Sequence, residues 1–356
     1  MAAKAAPGPL EALATQSYPI SEETWGDFWD RLAGRDLAPG EALAVTSSLT
    51  TRLPDGASVS NLLQSLRERN PQPDPPKQPT VNIVGTGGGP STFNLSTASA
   101  FVGAALGARV IKTGSRAYAS KTGSVDLLDR LGLKLTKSYE ENDQMLEEFG
   151  IACAGPFVYP KELRLIARNI LPFGMKTVGR FFNVIGPFLG AIPVTTQITG
   201  ASDHSWLPMF YELAKEDDSR RYLITSNDLG VDELLSIEPS RVYDSESDEE
   251  FTLDPREHGL GAGSFDEMKP VADIEDTVSN FLELIGGNGP PAAIESIRLN
   301  AAALAINGEV ADDWPAALDL AKQTMDNGEP AKLIERLRAH GESAADAPAP
   351  RAAPAQ

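Results

Sequence analysis

Between Val81 and Thr97 the chain reads V-N-I-V-G-T-G-G-G-P-S-T-F-N-L-S-T, an apolar β-branched run that breaks into four glycines within five positions and then into hydroxyl and amide side chains. Glycines let backbone N–H groups approach an oxygen without a Cβ in the way. Such N–H groups beside the hydroxyls of Thr92, Ser96 and Thr97 make a cradle for phosphate or pyrophosphate. About one strand-and-helix unit later, I-K-T-G-S-R-A-Y-A-S-K-T-G-S (111–124) places Lys112, Arg116 and Lys121 in a Gly/Ser-rich turn of an otherwise acidic chain. A third segment, T-S-N-D-L-G-V-D-E-L-L-S (225–236), sets Asp232 beside Glu233 after a predicted strand. Adjacent acids also suit the first turn of a helix, but hard carboxylate oxygens suit Mg²⁺, which keeps waters and bridges to substrate phosphates. Glycine loop, cations and acids together predict a phosphorylated substrate accompanied by Mg²⁺.

Three separate turns can share one substrate only if the fold delivers them to one edge. From Val81 onward, β-branched runs such as V-N-I-V, A-R-V-I-K-T-G and R-R-Y-L-I-T-S alternate with helix-like stretches such as S-T-A-S-A-F-V-G-A-A-L-G and S-V-D-L-L-D-R-L-G. That alternation predicts an α/β class, with a mostly parallel central sheet flanked by helices over residues 81–340. Parallel strands send their following loops to the same sheet edge, where ligands bind. Residues 10–70 show helical periodicity instead, with cap-like starts at Ser21 and Pro39, and predict a small all-α domain. The five prolines of 70–80 favour a stiff, extended connector, so 71–80 is expected to be a hinge. The Ala- and Pro-rich tail 341–356 is expected to be disordered.

A chain of 356 residues exceeds a comfortable single core, which agrees with two domains. Its net charge of −19 opposes a general affinity for nucleic acid, since duplex binding draws on clustered Lys and Arg. The run D-S-E-S-D-E-E (244–250) is expected to be a solvated loop tip. The one cysteine, Cys153, leaves no internal disulfide and suits a reducing compartment. No stretch is apolar enough to span a bilayer, and the first residues lack the apolar core of a signal peptide, so a cytoplasmic protein without a membrane partner is expected.

Taken in order, G-T-G-G, T-F-N-L-S-T-A-S-A-F, K-x-G-x-R followed by S-K-x-G-S-x-D-L-L-x-x-L-G, F-N-V-I-G-P (182–187), G-V-D-E and L-N-A-A-A-L-A (299–305) resemble the anthranilate phosphoribosyltransferase family over roughly residues 10–338. The resemblance implies a nucleoside-phosphorylase-like architecture, in which the helical domain is completed by helices from about 160–178, and a homodimer formed through that part. It also implies Mg²⁺-dependent transfer of a 5-phosphoribosyl group from 5-phosphoribosyl 1-pyrophosphate (PRPP) to anthranilate with release of pyrophosphate, a step of tryptophan biosynthesis. No covalent nucleophile is implied. Carried over by position, PRPP falls to Gly85, Gly87, Gly88, Thr92, Asn94, Ser96 and Thr97, then to Lys112, Arg116, Ser120 and Ser124, with Lys121 alongside. Ser96, Asp232 and Glu233 are the implied metal ligands.

The chain also departs from the family pattern. Gly89 and Pro90 stand where the family reads Asp-Gly, in a loop one residue shorter before Phe93. The usual K-H-G-N is K-T-G-S, which puts Thr113 and Ser115 in place of a His and an Asn that line the acceptor pocket. The stretch 157–183 has no histidine and leaves Arg164, Arg168, Lys176 and Arg180 as substitutes for the family's carboxylate-binding Arg. The expected acceptor set is therefore Gly85, Thr113, Ser115, Arg168, Arg180 and Pro187. The acceptor itself stays open between anthranilate and another amine or a hydroxyl compound. A nucleoside phosphorylase and a non-catalytic nucleic-acid-binding relative are the remaining alternatives, which the paired acids and the net acidity oppose.

Overall fold

The computed structural model describes residues 7–74, 76–114 and 123–346. Four helices come first: Pro9–Thr15, Glu22–Gly34, Glu41–Thr51 and Gly56–Arg67. Ser21 caps the second, its hydroxyl accepting from the Thr24 N–H at 3.2 Å, and Asp55 caps the fourth by accepting from the Ser58 N–H at 3.1 Å. The third begins two residues after Pro39, because Gly40 supplies a left-handed N-cap at φ 81°. Trp25, Phe28 and Trp29 are fully buried between these helices. Their polar ends are satisfied: Trp25 Nε1 donates to the Ser58 carbonyl at 3.1 Å and Trp29 Nε1 to Ser65 Oγ at 2.9 Å.

The sheet has seven strands: β1 Val81–Gly85, β2 Val110–Lys112, β3 Ile151–Cys153, β4 Thr196–Gly200, β5 Arg221–Asn227, β6 Ser240–Asp244 and β7 Glu249–Leu253. Their order is β3-β2-β1-β4-β5-β6-β7. The first five run parallel, and β6 and β7 add an antiparallel edge. The chain builds outward from β1 to β3 and then returns to lay β4 on the other side of β1. A crevice opens at that reversal, outside the carboxyl ends of the strands.

Side chains on β5 alternate between two cores, as a pleated strand requires. Leu223 enters a core under the helices Leu95–Ala105 and Pro291–Asn307, whereas Tyr222 and Ile224 enter one shared with the N-terminal helices. In the first core the small residues of 299–305 bring two helices together, and a Cβ on Gly103 would meet Leu304 Cδ1 at 2.8 Å. In the second, Trp25, Phe28 and Trp29 join Ile166 and Ile170 from the segment around helix Lys161–Asn169, Phe181 and Phe188 beyond it, and the face of β5.

The connector after Arg67 is anchored from below. Arg220 reaches Gln72 with one guanidinium nitrogen and donates to Gln197 Oε1 at 3.1 Å with another. Gln197 Nε2 in turn donates to the Pro187 carbonyl at 2.9 Å. Two expectations need correction. Asp244 is not part of a solvated tip: it is buried and ion-paired with Arg221, and the turn proper lies between it and Glu249. The last helix, Glu329–Asp346, runs six residues into the stretch expected to be unstructured, because its alanines favour helix and Lys134 reaches the Gly341 carbonyl. Replacing Trp29 by Ala removes a fully buried indole and should destabilise the chain by about 3–5 kcal/mol in chemical denaturation.

Candidate functional site

β1 ends at Gly85, and the chain then turns through Gly87 and Gly88 with φ of 68° and 85°, a left-handed backbone that costs glycine nothing. Asn94, at φ 69°, sets the start of helix Leu95–Ala105, whose first N–H groups point back toward the loop. From the far side of β4, the connection after β5 closes over this loop. Asp232 Oδ2 accepts from the Gly87 N–H at 2.6 Å, and Glu233 accepts from Thr92 Oγ1 and from the Ser96 N–H, both at 2.7 Å.

Gly85 has a second reason to be glycine: a Cβ there would lie 2.0 Å from Asp232 Oδ2. Gly200, paired with Gly85 across β1 and β4, would place a Cβ 1.9 Å from the Asp232 carbonyl oxygen. Gly89 lies 2.1 Å, by the same measure, from the Gly230 carbonyl, so the acid that the family pattern carries at this position has no room in this loop.

A cavity of about 380 Å³ opens above these turns. Gly85, Gly87, Gly88, Thr92, Asn94, Ser96 and Thr97 line it together with Lys112, Ser124, Asp232 and Glu233. Thr97 Oγ1 is buried there without a hydrogen-bond partner among the described residues, a hydroxyl available to an incoming oxygen. Lys112 ends β2, is 4% exposed and donates to the Thr113 carbonyl at 2.6 Å. Burial lowers its pKa to about 8, against the pull of Glu233 and Asp232. Burial raises Asp232, and burial with the Asp232 charge beside it raises Glu233 to about 7. Two acids held against their preference for water form a site that gains by taking up a cation.

The two ends of the second loop pass close to each other at Gly114 and Ser124, where a Cβ on Gly114 would come 1.9 Å from Ser124 Oγ. Ser115, Arg116, Ser120 and Lys121 lie outside the described residues. Another part of the lining comes from 159–189, where Tyr159, Leu163, Met175, Phe182, Asn183 and Pro187 join Thr113. Of the residues expected at the acceptor, Thr113, Pro187 and Gly85 line the cavity. Arg168 and Arg180 do not: both are exposed, and the Arg180 guanidinium lies 5.4 Å from the Trp206 ring centroid. Arg164 and Lys176 are likewise exposed and outside the lining. Tyr159 and Asn183 had no assigned role in the sequence, although the F-N-V-I-G-P motif contains the second of them.

A family model described as "Glycosyl transferase family, a/b domain" matches residues 77–331. The chain is 30% identical over 338 residues to the anthranilate phosphoribosyltransferase of Hyphomonas neptunium, covering 92% of this chain and 95% of that one. The crystal structure of anthranilate phosphoribosyltransferase from Thermus thermophilus superposes with a TM-score of 0.78 at 25% identity, covering 94% of this chain and all of the other. The Saccharomyces cerevisiae enzyme in complex with PRPP and Mg, at 22% identity, shares the fold with a TM-score of 0.77 over 94% of this chain and 97% of its own.

The raised Glu233 gives a signed pH dependence. Its carboxyl keeps a proton in the fold up to about 7, whereas in the unfolded chain it ionises near 4.5. The metal-free protein should therefore lose stability as pH rises from about 4.5 to about 7 and change no further above that. The melting-temperature difference between the native chain and Glu233→Gln, followed across that window, checks it.

Proposed function

We infer the activity from one premise: the chain belongs to the anthranilate phosphoribosyltransferase family and, as a member, is a glycosyl transferase of the phosphoribosyltransferase type. It transfers the 5-phosphoribosyl group of PRPP to an amine and releases pyrophosphate. The observation that carries this reading is the closure of Asp232 and Glu233 onto the glycine loop, at one cavity with Lys112 and the unpartnered Thr97 hydroxyl.

The residues fit a divalent ion that is shared with substrate. Among the described residues no three acids, histidines or cysteines cluster to hold a metal alone, while two largely buried carboxylates line the cavity with Ser96, whose N–H donates to Glu233. Asp232, Glu233 and Ser96 would hold Mg²⁺, leaving positions for waters and diphosphate oxygens. When bound, Mg²⁺ neutralises charge on the departing pyrophosphate. The chain's own groups do the rest. The remaining backbone N–H groups of the glycine loop, with Thr97 Oγ1 and the Lys112 ammonium, would face the oxygens on which charge builds as the anomeric C–O bond breaks. The wall from 159–189 holds the acceptor nitrogen in line with that carbon and excludes water.

Exposed Leu171 and Phe173, at 69% and 47%, support a homodimer through the helical side of the molecule. Among the described residues no helix is long and apolar enough to cross a membrane, and a single buried cysteine supports a cytoplasmic setting. Calorimetry should show PRPP binding strengthened at least tenfold by Mg²⁺. Asp232→Asn with Glu233→Gln should lower kcat for pyrophosphate release by about 10²–10³ while the melting transition stays cooperative. Unchanged turnover would remove the metal assignment.

A further inference from the structure

The short turn that brings Pro187 to the cavity lining does not secure its own carbonyl. That helix spans Gly186–Leu189, four residues, and the N–H that would close on the Pro187 carbonyl in a longer helix is that of Ala191. Ala191 donates to the Val158 carbonyl instead, at 2.8 Å. The Pro187 carbonyl is taken by Gln197 Nε2 of β4, at 2.9 Å. We propose that Gln197 is a positioning residue of the transfer reaction. It lies outside the cavity lining, yet its amide fixes the Pro187 turn and, through Asn82, Thr113, and so sets the walls between which the acceptor amine is aligned. The proposal rests on the PRPP-transfer reading and deepens it, since Pro187 and Thr113 are two of the residues that the family pattern assigns to the acceptor.

The hydrogen-bonding capacity of the Gln197 amide is fully used. Besides Pro187, its nitrogen donates to Thr199 Oγ1 at 3.0 Å, while its oxygen accepts from Arg220 Nη1 at 3.1 Å and from Asn82 Nδ2 at 3.4 Å. Gln197 and Asn82 are both fully buried. These partners allow one orientation. A flipped amide would aim its nitrogen at the Arg220 and Asn82 N–H groups and its oxygen at the Pro187 carbonyl, leaving buried donors and an acceptor unpaired. Asn82 and Gln197 pair in register across β1 and β4, so both side chains leave the sheet on one face. Asn82 Nδ2 also donates to Thr113 Oγ1 at 3.3 Å, and Thr113 meets the Tyr159 hydroxyl. Arg220 Nη2 donates to the Gly190 carbonyl at 3.3 Å, just past the Pro187 turn. Thr113, Tyr159 and Pro187 lie far apart in sequence, and all three parts of the lining are referred to one buried amide. A shift of that amide moves them together, and a misplacement of about 1 Å between reacting groups can cost about 10²-fold in rate.

Gln197→Glu separates positioning from support of the fold. The carboxylate keeps an acceptor for Arg220 and Asn82 but has no hydrogen to give the Pro187 carbonyl. The full chain with Mg²⁺ and saturating PRPP is assayed for pyrophosphate release with anthranilate, anthranilamide and aniline. For the acceptor that the native chain uses best, Gln197→Glu should lower kcat/KM at least tenfold and raise the acceptor KM, with the calorimetric Kd for PRPP kept within twofold and a cooperative melting transition. Asn82→Ala severs only the arm to Thr113 and should lower the same ratio about threefold, again with PRPP affinity kept; it carries the test if Gln197→Glu does not fold. Unchanged acceptor kinetics in the folded variants overturn the proposal. A kcat that falls only in proportion to the folded fraction, at unchanged acceptor KM, overturns it too, as does PRPP binding weakened as much as acceptor turnover. Absence of turnover with every amine in the native chain, while PRPP and Mg²⁺ still bind, also overturns it and leaves the donor reading standing. Failure to bind PRPP overturns the donor reading itself.

Discussion

Two carboxylates closing on a glycine loop organise this molecule. Asp232 and Glu233 come from the connection after β5, and their partners are the Gly87 N–H, the Thr92 hydroxyl and the Ser96 N–H after β1. The approach is possible only because β1 and β4 end in glycines that face each other, Gly85 and Gly200, and leave a slot the width of one aspartate. These acids occupy the kind of backbone donors that a phosphate would use, so the loop is held in shape by anions of the protein's own.

The sheet order explains why the site falls where it does. Because β4 is laid against β1 after the chain has already built out to β3, the loops after β1 and β4 leave in opposite directions and open a crevice between them. Lys112 arrives from β2 on one side and the acids arrive from β5 on the other. Charges of both signs thus meet over the carboxyl ends of the strands, with a parallel sheet below that leaves little freedom to rearrange. The second wall is built differently, from short helices and turns that belong to the core shared with the N-terminal helices.

That the glycine loop and the paired acids share one cavity was legible in the sequence, because these residues are contiguous and their chemistry depends on type and spacing. Gly87, Thr97 and the Asp232–Glu233 pair are of this kind. The role of Gly85 was not: the sequence shows that a Cβ is missing but not which neighbour needs the space, and that neighbour lies 147 positions away. The wall from 159–189 was least legible. Arg168 and Arg180 carry the right charge for a clamp, but the turns around them leave both outside the cavity lining, whereas Tyr159 and Asn183 have side chains that look ordinary until the fold encloses them. The shared core between the N-terminal helices and the sheet was equally invisible, since Tyr222 and Trp29 are brought together only by the return of 166–188 between them.

The connector between the helical segment and the sheet is rich in proline, yet it does not hang loose. Gln72 is held by the Arg220 guanidinium, Arg220 grips Gln197 on β4, and Gln197 carries the Pro187 carbonyl on its amide. Three side chains thus couple a surface strap to the lining of the cavity. Lengthening the strap by a residue would tug on that lining from outside, whereas lengthening the β6–β7 tip would disturb nothing near the chemistry. For anyone grafting or circularly permuting this scaffold, the tip is the place to cut and the strap is the place to leave alone.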